Sequence, residues 1–225
     1  MKQPEAGAGV DAAGFVLAGG QSSRMGKDKA LVEFAGRPLV VRAVGILEQA
    51  GLVTSIAGTR SQLGQFAPVV DDLGPNAGQG PLSGICSALA ACSSQYAVFL
   101  PVDLPLMTAS LIVYLLFHAR VSGALVTIPV VNGFAQTFPA VVDRASLPVL
   151  QARLGAGDRG CFSAFQAVAA KSGRPLSVVP VEMLAQSGQV SHSQGLTASL
   201  WFLNVNSEKD LARAEALADD GHRVS

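Results

Sequence analysis

Three segments of the chain carry residue types and spacings that suit phosphate chemistry. The first runs Leu17-Ala18-Gly19-Gly20-Gln21-Ser22-Ser23-Arg24-Met25-Gly26-Lys27-Asp28-Lys29. Glycines without Cβ let backbone N–H groups turn toward an anion, and the Arg24, Lys27 and Lys29 side chains add charge-assisted contacts to the same phosphates. Two familiar phosphate loops fail on spacing. Gly20 and Gly26 enclose one residue too many for a Walker loop, Lys27 is followed by Asp28 rather than Ser or Thr, and no GxGxxG fingerprint is present.

The second segment is Phe99-Leu100-Pro101-Val102-Asp103-Leu104-Pro105, where an apolar run delivers a single carboxylate between two prolines that fix the backbone. An acid in that position suits holding Mg²⁺ through one or two oxygens, with water and substrate phosphates completing the coordination. It equally suits a turn or a helix N-cap. The third, Asp71-Asp72-Leu73-Gly74-Pro75-Asn76-Ala77-Gly78-Gln79-Gly80-Pro81-Leu82-Ser83-Gly84, is a turn-rich loop leading into a helix. Gly80 and Gly84 let backbone approach a flat ligand such as a base, and Asp71 or Asp72 can accept from ring N–H groups. His118, His192 and His222 fall in no motif, and Cys86, Cys92 and Cys161 have no metal or redox spacing; the cysteines read as small core residues.

These segments need a frame that places them at one edge. Short apolar runs at Gly14 to Ala18, Leu52 to Ala57, Pro68 to Asp71, Tyr96 to Val102 and Ala124 to Val130 predict buried strands. Between them Pro38 to Ala50, Pro81 to Cys92 and Thr108 to Arg120 predict helices, with Thr108 or Ser110 starting the last. Further strands are expected at Phe138 to Val142 and Trp201 to Val205, and helices near Ala145 to Leu154 and Gly160 to Ala170. Ser207 and Asp210 resemble a capping box opening a last helix through Leu211, Ala214 and Leu217. Gln186 to Thr197 reads as a loose loop.

The alternation predicts a Rossmann-like three-layer α/β fold with a mostly parallel central sheet, in which ligands bind beyond the carboxyl ends of the strands. A single domain over 14–219, with tails at 1–13 and 220–225, is the simplest organisation. The sequence is 225 residues long, 49% apolar and 14% charged, with 16 basic and 16 acidic residues in balance. That composition fits a compact globular chain with no long-range field to gather nucleic acid or an anionic membrane. No apolar stretch approaches the roughly 20 residues that cross a bilayer, and the first residues lack the apolar core of a signal peptide, so a cytoplasmic location is expected.

Taken together the segments resemble the molybdenum cofactor guanylyltransferase family, within the wider Rossmann-like nucleotidyltransferases. The resemblance is carried by the Leu17 to Lys29 loop, Gly80-Pro81-Leu82-x-Gly84-Ile85, Pro101-Val102-Asp103-Leu104-Pro105, Gly157-Asp158-Arg159 and Phe202-Leu203-Asn204-Val205-Asn206, in the family's order. It implies transfer of GMP from GTP to the phosphate of Mo-molybdopterin with release of pyrophosphate. Leu17, Ala18, Gly19 and Gly20 would line base and phosphates, Arg24 and Lys29 would balance charge, and Asp71 or Asp72, with Gly80, would face guanine. Asp103 would hold Mg²⁺, while Arg159, Asn204 and Asn206 would lie toward the cofactor. Molybdenum-insertion proteins and apo-molybdoenzymes are the implied partners. A cytidylyltransferase or other small-phosphate nucleotidyltransferase of the same fold, or a silent carrier of nucleotide or cofactor, are the alternatives. Gly20 favours guanine, because Leu-Ala-Gly-Gly resembles the guanylyl enzymes and Leu-Ala-Ala-Gly the cytidylyl ones. Asn204 and Asn206 are expected to alternate along a strand end and so share one face.

Overall fold

A computed structural model describes residues 11–18, 28–58, 61–72, 77–78 and 80–220. Gly19, Gly20 and Arg24, and with them the body of the glycine-rich loop, lie outside the described residues. The chain opens on β1 (Ala12–Leu17), whose Phe15, Val16 and Leu17 are buried, as a strand covered on both faces requires. A 3-10 helix (Lys29–Leu31), capped by the Asp28 carboxylate on the Ala30 N–H at 3.1 Å, leads to a small hairpin of β2 (Glu33–Phe34) and β3 (Arg37–Pro38).

From there α1 (Leu39–Gln49) buries Leu39, Val40, Ala43, Val44 and Leu47 and stops at Gly51. It delivers the chain to β4 (Val53–Ala57), after which come β5 (Val69–Val70) and α2 (Pro81–Ala91). Pro81 supplies the preset φ of a first helical residue, and Gly80 before it sits at φ 103°, a region closed to most side chains. Next are β6 (Tyr96–Pro101), α3 (Ala109–Ser122), β7 (Val126–Val131), β8 (Phe134–Ala135) and β9 (Ala140–Asp143). Helices α4 (Leu147–Gly155) and α5 (Cys161–Ser172), strand β10 (Ser177–Pro180), and helices α6 (Val181–Gln186) and α7 (Glu208–Asp220) complete the order.

The main sheet has eight strands in the order β10-β7-β9-β6-β1-β4-β5, with β8 paired to β7. The pairs β5/β4, β4/β1, β1/β6 and β10/β7 are parallel, and β9 runs antiparallel between β6 and β7. Two apolar layers cover it. One packs α1, α3, α6 and Trp201 against one face, and the other packs α2, α4 and α5 against the opposite face. The expected three-layer architecture is therefore the observed one.

The sheet order fixes where a ligand belongs. From β1 the chain crosses by α1 to β4 on one side, and later crosses by α2 to β6 on the other side of β1. The carboxyl end of β1 is thus a topological switch point, the place where an open α/β sheet leaves a crevice.

One expected element is corrected. Trp201 to Val205 forms no strand: Ala198–Phe202 is a 3-10 helix, and the chain then runs extended without a ladder partner. The apolar run that suggested a strand is buried through packing instead, with Trp201 donating its indole N–H to Leu196 O at 2.8 Å. Ahead of the expected loop at Gln186 to Thr197, which past Gln186 forms no helix or strand, the chain adds two elements the sequence did not announce, the edge strand β10 and α6. His118 on α3 has its Nε2 3.1 Å from Ser177 Oγ of that strand.

Candidate functional site

At the switch point Val102 N–H donates to Leu17 O at 3.3 Å, which locks the ends of β1 and β6 together and carries Asp103 just past the sheet edge. Lys29 arrives from the other side of the glycine-rich loop on its 3-10 helix. Its ammonium lies 2.9 Å from Asp103 Oδ2 and also donates to Asn206 Oδ1. The ion pair is largely shielded, the Lys29 and Asp103 side chains retaining 16% and 22% of their exposure. Asp103 Oδ1 is buried and has no hydrogen-bond partner among the described residues.

Asn206 reaches this pair because Val205 N–H donates to Asp103 O at 2.9 Å, stitching the 203–206 segment to the Asp103 loop. Val205 is buried while Asn204 and Asn206 are exposed, so the alternation expected of a strand survives in an extended segment that is not one. The helix that follows is anchored as its sequence suggests. Ser207 Oγ donates to Asp210 Oδ2 at 2.8 Å, and the Asp210 N–H donates back to Ser207 Oγ at 3.2 Å. Asn204 does not join the cluster; its Nδ2 turns back to Phe202 O at 3.3 Å.

A second group of residues meets on the α2 side of β1. A Cβ placed on Gly84 would stand 3.6 Å from Asp72 Oδ1 and 3.8 Å from both Ala57 Cβ and Leu17 Cδ2. These are contact distances, so Gly84 marks where the first turn of α2 meets the ends of β1 and β4. Asp71 is exposed. Asp72 is held: its Oδ2 accepts from Gly78 N–H at 2.9 Å, and its Oδ1 is buried, without a hydrogen-bond partner among the described residues, beside the amino end of α2, where a negative charge is favoured. Leu17 and Ala18 are buried at the base of this corner.

The Gly157-Asp158-Arg159 motif belongs to the same layer. Asp158 accepts from Gly160 N–H, Arg153 and Ser163, and these contacts, led by the Gly160 amide, hold its carboxyl down at about 2. Arg159 is exposed and donates to Leu154 O at 3.0 Å; no contact links it to Lys29 or Asp103 among the described residues. Cys86 and Cys161 lie between this motif and Asp72. Burial, then the Asp72 charge, pushes the Cys86 thiol to about 11, and burial with Cys86 and Asp158 pushes Cys161 to about 12. Both stay protonated and inert, the core role expected of them.

Among the described residues no group of three or more His, Cys, Asp or Glu is placed to hold a metal ion. The donor set at the switch point is instead a single carboxylate with one unpartnered oxygen. That fits a hard cation bound mainly by phosphate and water, and it does not fit an all-protein cage. Sequence reasoning found Lys29, Asp103 and Asn206 but not their mutual contact, which joins positions 29, 103 and 206 through the fold alone.

A cation, a carboxylate and a buried acceptor corner at the switch point of a mostly parallel sheet define a nucleotide-handling α/β protein. A MobA-like NTP transferase domain model matches residues 14–186, and the chain belongs to that family of nucleotidyltransferases. It is 31% identical over 206 residues to a probable molybdenum cofactor guanylyltransferase from Haloferax mediterranei, covering 88% of this chain and 90% of the relative. A molybdenum cofactor guanylyltransferase from Xanthomonas euvesicatoria pv. vesicatoria is 44% identical over 101 residues, which span 44% of this chain and only 50% of that relative. Molybdopterin-guanine dinucleotide biosynthesis protein A from Archaeoglobus fulgidus shares the fold with a TM-score of 0.72 at 20% identity, covering 92% of this chain and 98% of that one. CMP:2-keto-3-deoxy-manno-octonic acid synthetase complexed with CTP shares it at 0.66 and 15% identity, over 93% and 98% of the two chains.

Proposed function

We propose that the chain transfers GMP from GTP to the terminal phosphate of Mo-molybdopterin, forming the guanine dinucleotide cofactor and releasing pyrophosphate, as one catalytic unit over 14–219 acting in the cytoplasm. The observation that carries this reading is the convergence of Lys29, Asp103 and Asn206 at the carboxyl end of β1 in a member of the MobA-like family. The names of the relatives supply the choice of cofactor and of guanine.

The nucleophile of such a transfer is a phosphate oxygen that is already anionic, so no general base is required. The site must hold two anions in line and spread the transition-state charge. Lys29 suits the phosphates of GTP, with Arg24 and the amides of Gly19 and Gly20 contributing from the loop. Asp103 Oδ1 would hold Mg²⁺, which when bound polarises phosphate oxygens and neutralises their charge. Asn206, hydrogen-bonded to Lys29, orients that ammonium and offers its amide to the second substrate. Asn204 and Arg159 complete the cofactor side.

Asp72 is assigned to the base in preference to the exposed Asp71, because among the described residues Asp72 is fixed by a backbone amide and keeps a buried oxygen without a partner. Guanine N1–H and N2–H₂ satisfy such an acceptor, whereas adenine presents no equivalent donors. Gly80 keeps the approach to it open. The test is a competition with equal GTP, CTP and ATP, Mg²⁺ and molybdenum-loaded molybdopterin, reading the dinucleotide product by mass. The guanine product should dominate; a predominantly cytosine product would overturn the guanylyl assignment and leave nucleotidyl transfer standing.

A further inference from the structure

A cleft of about 390 Å³ lies on the face of the sheet opposite α2, behind the loop that follows Asp103. Its volume is at the small end of the range for metabolite pockets. The floor is apolar, made by the buried side chains of Phe34, Ile46 and Met107. The rim is cationic, with Arg37 on β3 and Arg42 on α1.

Arg42 is held in a fixed pose. Its guanidinium carbon sits 4.9 Å above the centroid of the Phe34 ring, and its Nε donates to Pro105 O. Those contacts use one face and one N–H, leaving both Nη groups for a ligand. Among the described residues no carboxylate pairs with Arg42 or Arg37. Glu215, the acid that touches the hairpin, spends one oxygen on the Ala35 N–H at 3.1 Å. Burial pulls the Arg42 pKa below its ordinary value, the mark of a cation partly desolvated without a counter-ion.

We propose that this cleft is a second ligand site that binds a small phosphate monoester, with Arg37 and Arg42 on the phosphate and the Phe34, Ile46 and Met107 floor under the organic body. Two guanidinium groups match the roughly −1.5 to −2 charge of a monoester at neutral pH, and their planar forks suit its oxygens. A monocarboxylate would leave one cation unmatched. Because Arg42 also holds Pro105 O, the ligand communicates with the loop bearing Asp103 while lying apart from the Lys29 pair.

The molecule contains its own reporter. Its single tryptophan, Trp201, stacks on His192 of the cleft wall with ring centroids 6.2 Å apart. The experiment titrates the full chain, without nucleotide or metal and at low ionic strength, with phenyl phosphate, orthophosphate or malonate while following Trp201 fluorescence. Phenyl phosphate should give a saturable change, about threefold or more tighter than orthophosphate because of the apolar floor. The change should persist in Lys29→Ala and weaken about tenfold in Arg37→Gln, an exposed position whose substitution spares the fold. Arg42→Gln should weaken it at least as much. Absence of saturation with both phosphates, equal affinity for malonate, loss of the signal in Lys29→Ala, or unchanged affinity in Arg37→Gln would each overturn the site. Orthophosphate binding as tightly as phenyl phosphate would overturn the monoester assignment.

Discussion

Replacing Asp103 by Asn removes one negative charge and changes almost nothing else in shape, so it separates the two jobs the carboxylate could have. The stability cost is bounded by the geometry of the ion pair, 2.9 Å long with 16% and 22% exposure on its two side chains. A pair so shielded is worth more than the ~0–1 kcal/mol of an exposed one and less than a fully buried one, about 1–2 kcal/mol. Val98, Phe99 and Leu100 on the same strand are completely buried, and each contributes roughly 1.5–3 kcal/mol. The core outweighs the pair, and Asp103→Asn should fold with its Val205 N–H contact intact. Activity should fall far more. Losing the group that fixes charge at the reacting phosphate costs about 3–5 kcal/mol in the transition state, a hundred- to several-thousand-fold in rate. Pyrophosphate release with GTP, Mg²⁺ and Mo-molybdopterin, measured beside a thermal melt, reads both effects. A folded Asp103→Asn protein within about threefold of the parent rate would reduce Asp103 to a turn residue and refute the assignment.

If the Lys29 ammonium serves ground and transition states alike, as proposed, Lys29→Ala should raise KM for GTP and lower kcat together, by about 10- to 1,000-fold in kcat/KM; steady-state kinetics decide it. Asp72→Asn should cut the preference for GTP over ATP about tenfold or more, and Asp71→Asn should leave it unchanged, as the ratio of kcat/KM values would report. Asp158 titrates at about 2 in the folded chain against 3.8 ordinarily, so its stabilising contribution is whole above 3.8 and disappears as pH falls through 2. Asp158→Ala should therefore flatten the pH dependence of unfolding between those values, followed by circular dichroism; an unchanged acid limb would show that the Gly160 and Arg153 contacts add nothing.

The elements that build the switch point were legible because each has a local cause. β1 is an apolar run that leads into Gly19-Gly20, β6 is one that ends on Pro101, and α2 begins at a Gly-Pro step. The hairpin at 33–38 gave no such signal, since its turn is Ala35-Gly36 and alanine at φ 48° is not a residue the sequence marks as a turn former. Trp201 to Val205 misled because a continuous apolar run looks alike whether it pairs in a sheet or packs as a 3-10 helix and an extended segment. β10 and α6 were too short to show a period. At the site, the residue types were readable and the pairing was not, because Lys29 meets Asp103 and Asn206 only through the order of strands.

On the proposed reading, the Lys29 and Asp103 pair also explains how a cleft that receives anions stays stable without them. A carboxylate and an ammonium at a sheet edge, both mostly shielded, would each carry a desolvation cost if held apart. Joined, each is the other's counter-ion, and Asn206 takes a further hydrogen of the ammonium. On the proposed reading substrate binding exchanges partners without burying an uncompensated charge: Lys29 turns from carboxylate to phosphate, and Asp103 turns from ammonium to cation. The exchange leaves little electrostatic reorganisation for the transfer step itself, the condition under which fixed charges act most strongly on a transition state. It also means that Asp103 and Lys29 are coupled. Removing both should cost less than the sum of removing each, because the first substitution already leaves the second residue without its resting partner.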